Sequence, residues 1–222
     1  MPSILLPALC LVTDRRRLAA GCRLEEVVER AVEGGATMVQ LREKDLPAAE
    51  MLVLACRLRE VTRGRALLFI NDRVDVALAC EADGVQLGEE GLPVEAARRA
   101  SGGGLLLGRS VHSVEGAVAA EAEGVDMVVV GAIFESESHP GASAAGLGLL
   151  RRVSDRVRVP ALAIGGVTSA NVSSVIAAGA SGAAVIGDIV ASDNPERAAR
   201  ALVERMDKMW SARASGAVSH LT

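Results

Sequence analysis

Eight short runs rich in Val, Ile, Leu and Ala punctuate the chain, and each leads into a longer stretch patterned for a helix. The runs are ALCLVTD (8–14), MVQLR (38–42), LLFIND (67–72), DGVQLG (83–88), LLLGRSV (105–111), MVVVGAIF (127–134), VPALAIGG (159–166) and GAAVIGDIV (182–190). Their apolar residues are continuous rather than alternating, the pattern of parallel strands buried on both faces. Amphipathic stretches lie between them. LEEVVERAVEGG (24–35) closes on a glycine pair, and PVEAARRASGGG (93–104) has Pro in its first turn and glycines past its end. TSANVSSVIAAGA (168–180) opens with hydroxyl residues suited to an N-cap, and PERAARALVERMDKMW (195–210) supplies a last helix.

Eight β-then-α units predict a closed (β/α)8 TIM barrel, an α/β fold, as a single domain over residues 1–210. An open doubly wound sheet more often has five or six strands, and no Gly-x-Gly-x-x-Gly follows the first run. The tail 211–222 has no periodicity and reads as disordered.

Composition removes several function classes. The net charge is −4 with the signs interspersed, which predicts no nucleic-acid partner and no membrane-surface partner. With no Tyr, one Trp and two Phe, the chain lacks stacking platforms for single strands. Cys10, Cys22, Cys56 and Cys80 stand far apart without C-x-x-C spacing, so they read as ordinary buried thiols of a reduced, cytoplasmic protein. The opening MPSILLPALCLV has no basic n-region and is interrupted by proline, so it reads as a first strand rather than a signal peptide. No other apolar run approaches the ~20 residues of a membrane span.

In a barrel of this kind the chemistry sits at the C-terminal mouth. The strand tips there carry Gln40, Arg42 and Lys44; Asn71 and Asp72; Gln86, Glu89 and Glu90; and Ser110 and His112. The segments VQLREK (39–44) and VQLGEEG (85–91) nearly repeat each other, one basic and one acidic at the tip. Period-2 geometry puts Gln40 and Arg42 on one face of their strand. Gly165-Gly166 and Gly187 end the last two strands, where free backbone N–H groups favour an anion; their other reading is tight turns alone. Asp188 beside them would repel a phosphate unless it turns away. Arg42 and Lys44 offer a second cationic centre, or else a solvated salt bridge with Glu43 or Asp45. His112 is either a hydrogen-bonded structural residue or a proton carrier near neutral pH.

Taken together, VQLREK (39–44), FINDRVDVA (69–77), DGVQLG (83–88), GRSVHSVEGA (108–117), VVGAIF (129–134), PGASAAGLGLL (140–150) and AIGGVTSANV (163–172) resemble the thiamin phosphate synthase/TenI superfamily. The resemblance implies a (β/α)8 barrel acting on a phosphorylated thiazole, as one of two enzymes or as a non-catalytic thiazole or thiamin phosphate-binding regulator. Synthases of this superfamily join hydroxymethylpyrimidine pyrophosphate to thiazole phosphate with Mg2+ and release pyrophosphate. TenI-like proteins tautomerise a thiazole carboxylate phosphate without a cofactor.

Gln40, Arg42, Lys44, Asn71, Asp72 and Ser110 match synthase positions that contact pyrimidine or pyrophosphate, with Asp72 the Mg2+ ligand. Gly165, Gly166, Gly187, Ser136 and Ser138 match the thiazole phosphate site. Three positions depart from the synthase pattern. Gln86 stands for a His and Gly91 for a metal-binding Asp, while His139 stands where a lysine faces the pyrophosphate. These departures, with VQLG and SVHS, favour the thiazole tautomerase, an isomerase with His112 and Ser110 as its catalytic residues and Gln86 on the ring. The synthase, a transferase, is the alternative. A homo-oligomer is left open.

Overall fold

Consecutive apolar runs pair edge to edge, and the last returns to pair with the first, so the sheet has no open edge. The computed structural model describes residues 3–135 and 144–216. Among them the strands are β1 (Ala8–Val12), β2 (Met38–Leu41), β3 (Leu67–Asn71), β4 (Gly84–Leu87), β5 (Leu106–Val111), β6 (Met127–Val130), β7 (Ala161–Ala163) and β8 (Gly182–Val185). Every pairing is parallel and in sequence order, which is the expected α/β TIM barrel.

The helices on its outside are α1 (Leu24–Glu33), α2 (Ala48–Thr62), α3 (Val74–Ala79), α4 (Val94–Ala100), α5 (Val114–Ala122), α6 (Gly146–Ser154), α7 (Val172–Ala177), α8 (Gly187–Val190) and α9 (Pro195–Ala214). Helix α9 packs against both α1 and α7 and closes the outer ring. None of the helices is long and apolar enough to cross a membrane, among the described residues.

Several strands are shorter than their apolar runs. The run 182–190 splits, four residues staying in the sheet and Gly187–Val190 turning into α8. Likewise β6 stops at Val130 and β7 at Ala163, and the apolar residues beyond them build the mouth instead. The tail is also corrected in part. Helix α9 continues to Ala214 because Arg213 stacks over Trp210 at 4.3 Å and donates to the carbonyls of Ile176 and Ala180. Residues 217–222 lie outside the described ones. Of the cysteines, Cys10 and Cys80 are buried as expected, while Cys22 and Cys56 are exposed. Burial pushes the Cys10 thiol up to about 12, because a thiolate there would be desolvated.

The barrel interior fills by pairing large residues with missing ones. Phe69 and Met127 are buried, and their ring and methyl group lie against Gly84 and Gly108 of the neighbouring strands. A Cβ on Gly84 would stand 2.5 Å from Phe69 Cε1 and 2.6 Å from the Leu106 carbonyl oxygen. At the bottom of the barrel, Asp83 accepts from Leu68 N–H and Arg59, and Asp126 accepts from Leu107 N–H and Arg98. Both aspartates tie the start of one strand to its neighbour and to an outer helix.

Substituting Gly84→Ala is expected to destabilise the protein by about 1–3 kcal/mol, the cost of overpacking a filled core. Gly104→Ala is the control: a Cβ there meets only the Ser101 carbonyl oxygen at 3.4 Å. Urea unfolding of the two variants checks this; equal midpoints would contradict the packing assignment.

Candidate active site at the barrel mouth

The loops after the strands enclose an open cavity of about 860 Å³ at the C-terminal mouth. Its wall includes Arg42, Lys44, Asn71, Asp72, Ser110, His112, Gly165, Gly166 and Gly187, nine of the residues expected from the strand tips. Ser136 and Ser138, with His139, lie outside the described residues. Gln40 and Gln86 are corrected in position. They do not line the cavity but sit beneath it, 5% and 1% exposed.

Those two glutamines act on the residues above them. Gln40 Nε2 donates to Asn71 Oδ1 at 2.8 Å, and Gln86 Nε2 donates to Ser110 Oγ at 3.1 Å. Gln86 Oε1 is buried against Gly108 and has no hydrogen-bond partner among the described residues. The chain of bonds continues at the rim. Asn71 Nδ2 donates to Asp72 Oδ2 at 2.8 Å, while Gly88 N–H donates to Asp72 Oδ1 at 2.6 Å. Asp72 holds a positive φ of 59°, a conformation aspartate tolerates better than most residues and one these two bonds help to fix.

The basic tip of β2 does not form the salt bridges that its own sequence offers. Arg15 takes both neighbouring acids: its N–H and Nη1 donate to Glu43, and its guanidinium forks onto Asp45 at 2.8 and 2.9 Å. Glu43 is only 2% exposed, so those donors stand in for lost water. The Arg15 hydrogen bond holds the Asp45 carboxyl below its usual value. Arg42 and Lys44 thus point into the cavity with no ion pair to a described residue.

The acidic tip of β4 is similarly selective. Glu89 lines the cavity and Glu90 does not. Glu89 Oε2 lies 2.8 Å from His112 Nδ1, and both side chains are more than half exposed at the rim. Arg109 secures this loop by donating to the carbonyls of Glu89 and Leu92.

At the far side, Gly165 and Gly166 have φ of +95° and +60°. A Cβ on Gly165 would stand 2.6 Å from Ala132 Cβ, and one on Gly166 would stand 2.8 Å from Phe134 Cβ. The tight turn is therefore real, yet the N–H groups of both glycines have no partner among the described residues. The two readings of this pair are compatible. Asp188 directs its Oδ2 to Ser169 N–H at 2.9 Å, which engages one of its oxygens with a backbone donor three residues past Gly166.

Sequence reasoning missed Arg17 and Glu135 in the cavity wall. Nothing in the run Arg15-Arg16-Arg17 distinguishes its members until its local helix is known. Among the described residues, no three His, Cys, Asp or Glu side chains gather as a metal site.

A family model described as thiamine monophosphate synthase matches residues 9–189. The chain belongs to that family. It is 45% identical over 197 residues to the thiamine-phosphate synthase of Roseiflexus castenholzii, covering 87% of this chain and 86% of the relative. It is 40% identical over 195 residues to the enzyme of that name from Pyrococcus furiosus, covering 87% and 92%. The solved structure of thiamine phosphate pyrophosphorylase from Pyrococcus furiosus superposes with a TM-score of 0.84 at 38% identity, covering 91% of this chain and 96% of that one.

Substituting Arg15→Ala is expected to cost about 1–2 kcal/mol, from leaving buried Glu43 short of a donor. The Arg15–Asp45 contribution is full above the usual carboxylate range and is lost as pH falls through the lowered Asp45 value. Thermal melts of both proteins across acid pH check this; a gap between them that widens on acidification would contradict it.

Proposed function

We propose that the protein is a thiamin phosphate synthase, a transferase joining hydroxymethylpyrimidine pyrophosphate to thiazole phosphate. The observation that carries this reading is the name shared by relatives 40–46% identical over most of both chains. It shifts the weight away from the thiazole tautomerase that the strand-tip motifs favoured.

The geometry supports the same shift. Gln86 stands where synthases carry a histidine, but it lies beneath the cavity and donates to Ser110. Gly91 replaces a metal-binding Asp, yet Asp72 remains fixed in the wall with Glu89 in the same cavity. A Cβ on Gly91 would stand 2.7 Å from Asp72 Oδ1, so the glycine leaves that oxygen room for another ligand. Mg2+ needs only one or two protein carboxylates, with phosphate and water completing its shell, so the donor set fits it.

In this reading Asp72 would hold Mg2+, which would supply positive charge for a pyrophosphate leaving group. Arg42 offers that group a planar fork, and Lys44 adds a compact charge. Asn71 and Ser110, held by Gln40 and Gln86, orient the pyrimidine. Gly165, Gly166 and Gly187, with Ser136 and Ser138, hold the thiazole phosphate. The thiazole nitrogen bonds to the methylene carbon on the pyrimidine, whose carbon–oxygen bond to pyrophosphate breaks, and the chain's positive groups receive the leaving anion. His112, at the rim with Glu89, has no assigned step here.

Incubation with both substrates and Mg2+ is expected to release pyrophosphate and form thiamin phosphate. Chelation should abolish release, and Asp72→Ala should lower kcat by about 100-fold or more while thiazole phosphate still binds. Absence of release under these conditions would contradict the synthase; tight binding without turnover would favour the regulator.

A further inference from the structure

We propose that Arg17 is a substrate-binding residue that closes the thiazole phosphate site from the opposite end of the chain. The assignment rests on the synthase reading for the identity of the ligand, and on geometry for its place.

The three successive arginines lie in one turn of 3-10 helix, Arg15–Arg17, just after β1. With three residues per turn, consecutive side chains leave the axis about 120° apart, so the three guanidiniums face three ways. Arg15 turns to Glu43 and Asp45 on the β2 loop. Arg16 is 72% exposed and reaches back to Asp14. Arg17 alone of the three lines the cavity, with its side chain 22% exposed. β1 pairs with β8, so this turn stands beside the loop that carries Gly187.

The contact is close. Arg17 Nη1 lies 3.3 Å from the point that a Cβ on Gly187 would occupy. Arg17 Nε lies 3.5 Å from Asp14 Oδ2, and Asp14 caps the same turn by accepting from Arg16 N–H. Asp14 is buried, and this ion pair holds the Nε edge toward the turn. A guanidinium has five N–H donors, so the partners Arg17 already has do not exhaust its capacity for a phosphate oxygen.

Charge gives a reason for the arrangement. Asp188 also lines this part of the cavity, and although one of its oxygens is taken by Ser169 N–H, its charge remains. A dianionic phosphate beside it needs a compensating cation. Arg42 and Lys44 follow β2 and serve the pyrophosphate; among the described residues Arg17 is the cavity cation beside Gly187.

The test separates this residue's role from the reaction. Binding of thiazole phosphate, and of inorganic phosphate as the minimal probe, is measured by calorimetry on wild type, Arg17→Ala, Arg17→Lys and Arg16→Ala. Turnover is then measured with each substrate varied in turn. Arg17→Ala is expected to weaken both phosphate ligands by about ten-fold or more and to raise KM for thiazole phosphate alike. KM for the pyrimidine pyrophosphate should move less than about two-fold, Arg17→Lys should recover part of the loss, and Arg16→Ala should match wild type. Circular dichroism and melting confirm that each variant is folded. Unchanged phosphate binding in folded Arg17→Ala would overturn the proposal, as would a KM effect confined to the pyrimidine pyrophosphate. Phosphate binding that depends on Arg17 without any pyrophosphate release would keep this proposal and remove the synthase reading.

Discussion

A relay of three hydrogen bonds fixes the working edge of this barrel. Gln40 on β2 holds Asn71 on β3, Asn71 holds Asp72, and Asp72 accepts from the Gly88 N–H just past β4. The first of these bonds starts from a side chain that is 5% exposed, where an unmet amide would be costly. Each later member therefore inherits its orientation from a buried one. Asp72 keeps its positive φ within this relay, and the β4 loop that carries Glu89 is anchored to it.

The same division between a buried layer and a working layer recurs around the mouth. Gln86 lies under Ser110 as Gln40 lies under Asn71. Arg15 removes Glu43 and Asp45 from competition, which lets Arg42 and Lys44 present their charge to the cavity. Asp188 is turned in part toward Ser169 by a backbone donor. In each case a second residue determines where the functional group points, which is how a site reaches the precision catalysis needs.

The fold was legible because strands of a closed parallel barrel are buried on both faces and announce themselves as unbroken apolar runs. Strand ends were less legible, since the apolar residues 131–134, 164 and 186–190 read like sheet but serve the mouth and the first turn after it. Strand alternation put Gln40 and Arg42 on one face. It carries no information about depth, so it could not tell that the glutamine stays below the cavity floor. Gln86 shows the same limit: read as a ring contact, it lies buried below the mouth and donates to Ser110. Arg17 was invisible among three identical neighbours, because only the 3-10 turn distinguishes them.

A crystal structure with thiazole phosphate, pyrophosphate and Mg2+ bound together tests the central claim, that buried partners aim two separate anion sites into one cavity. The monophosphate is expected against Gly165, Gly166 and Gly187, and the pyrophosphate against Arg42 and Lys44 with the metal on Asp72. Both anions at one site, or a ligand reached directly by Gln40 or Gln86, would contradict it.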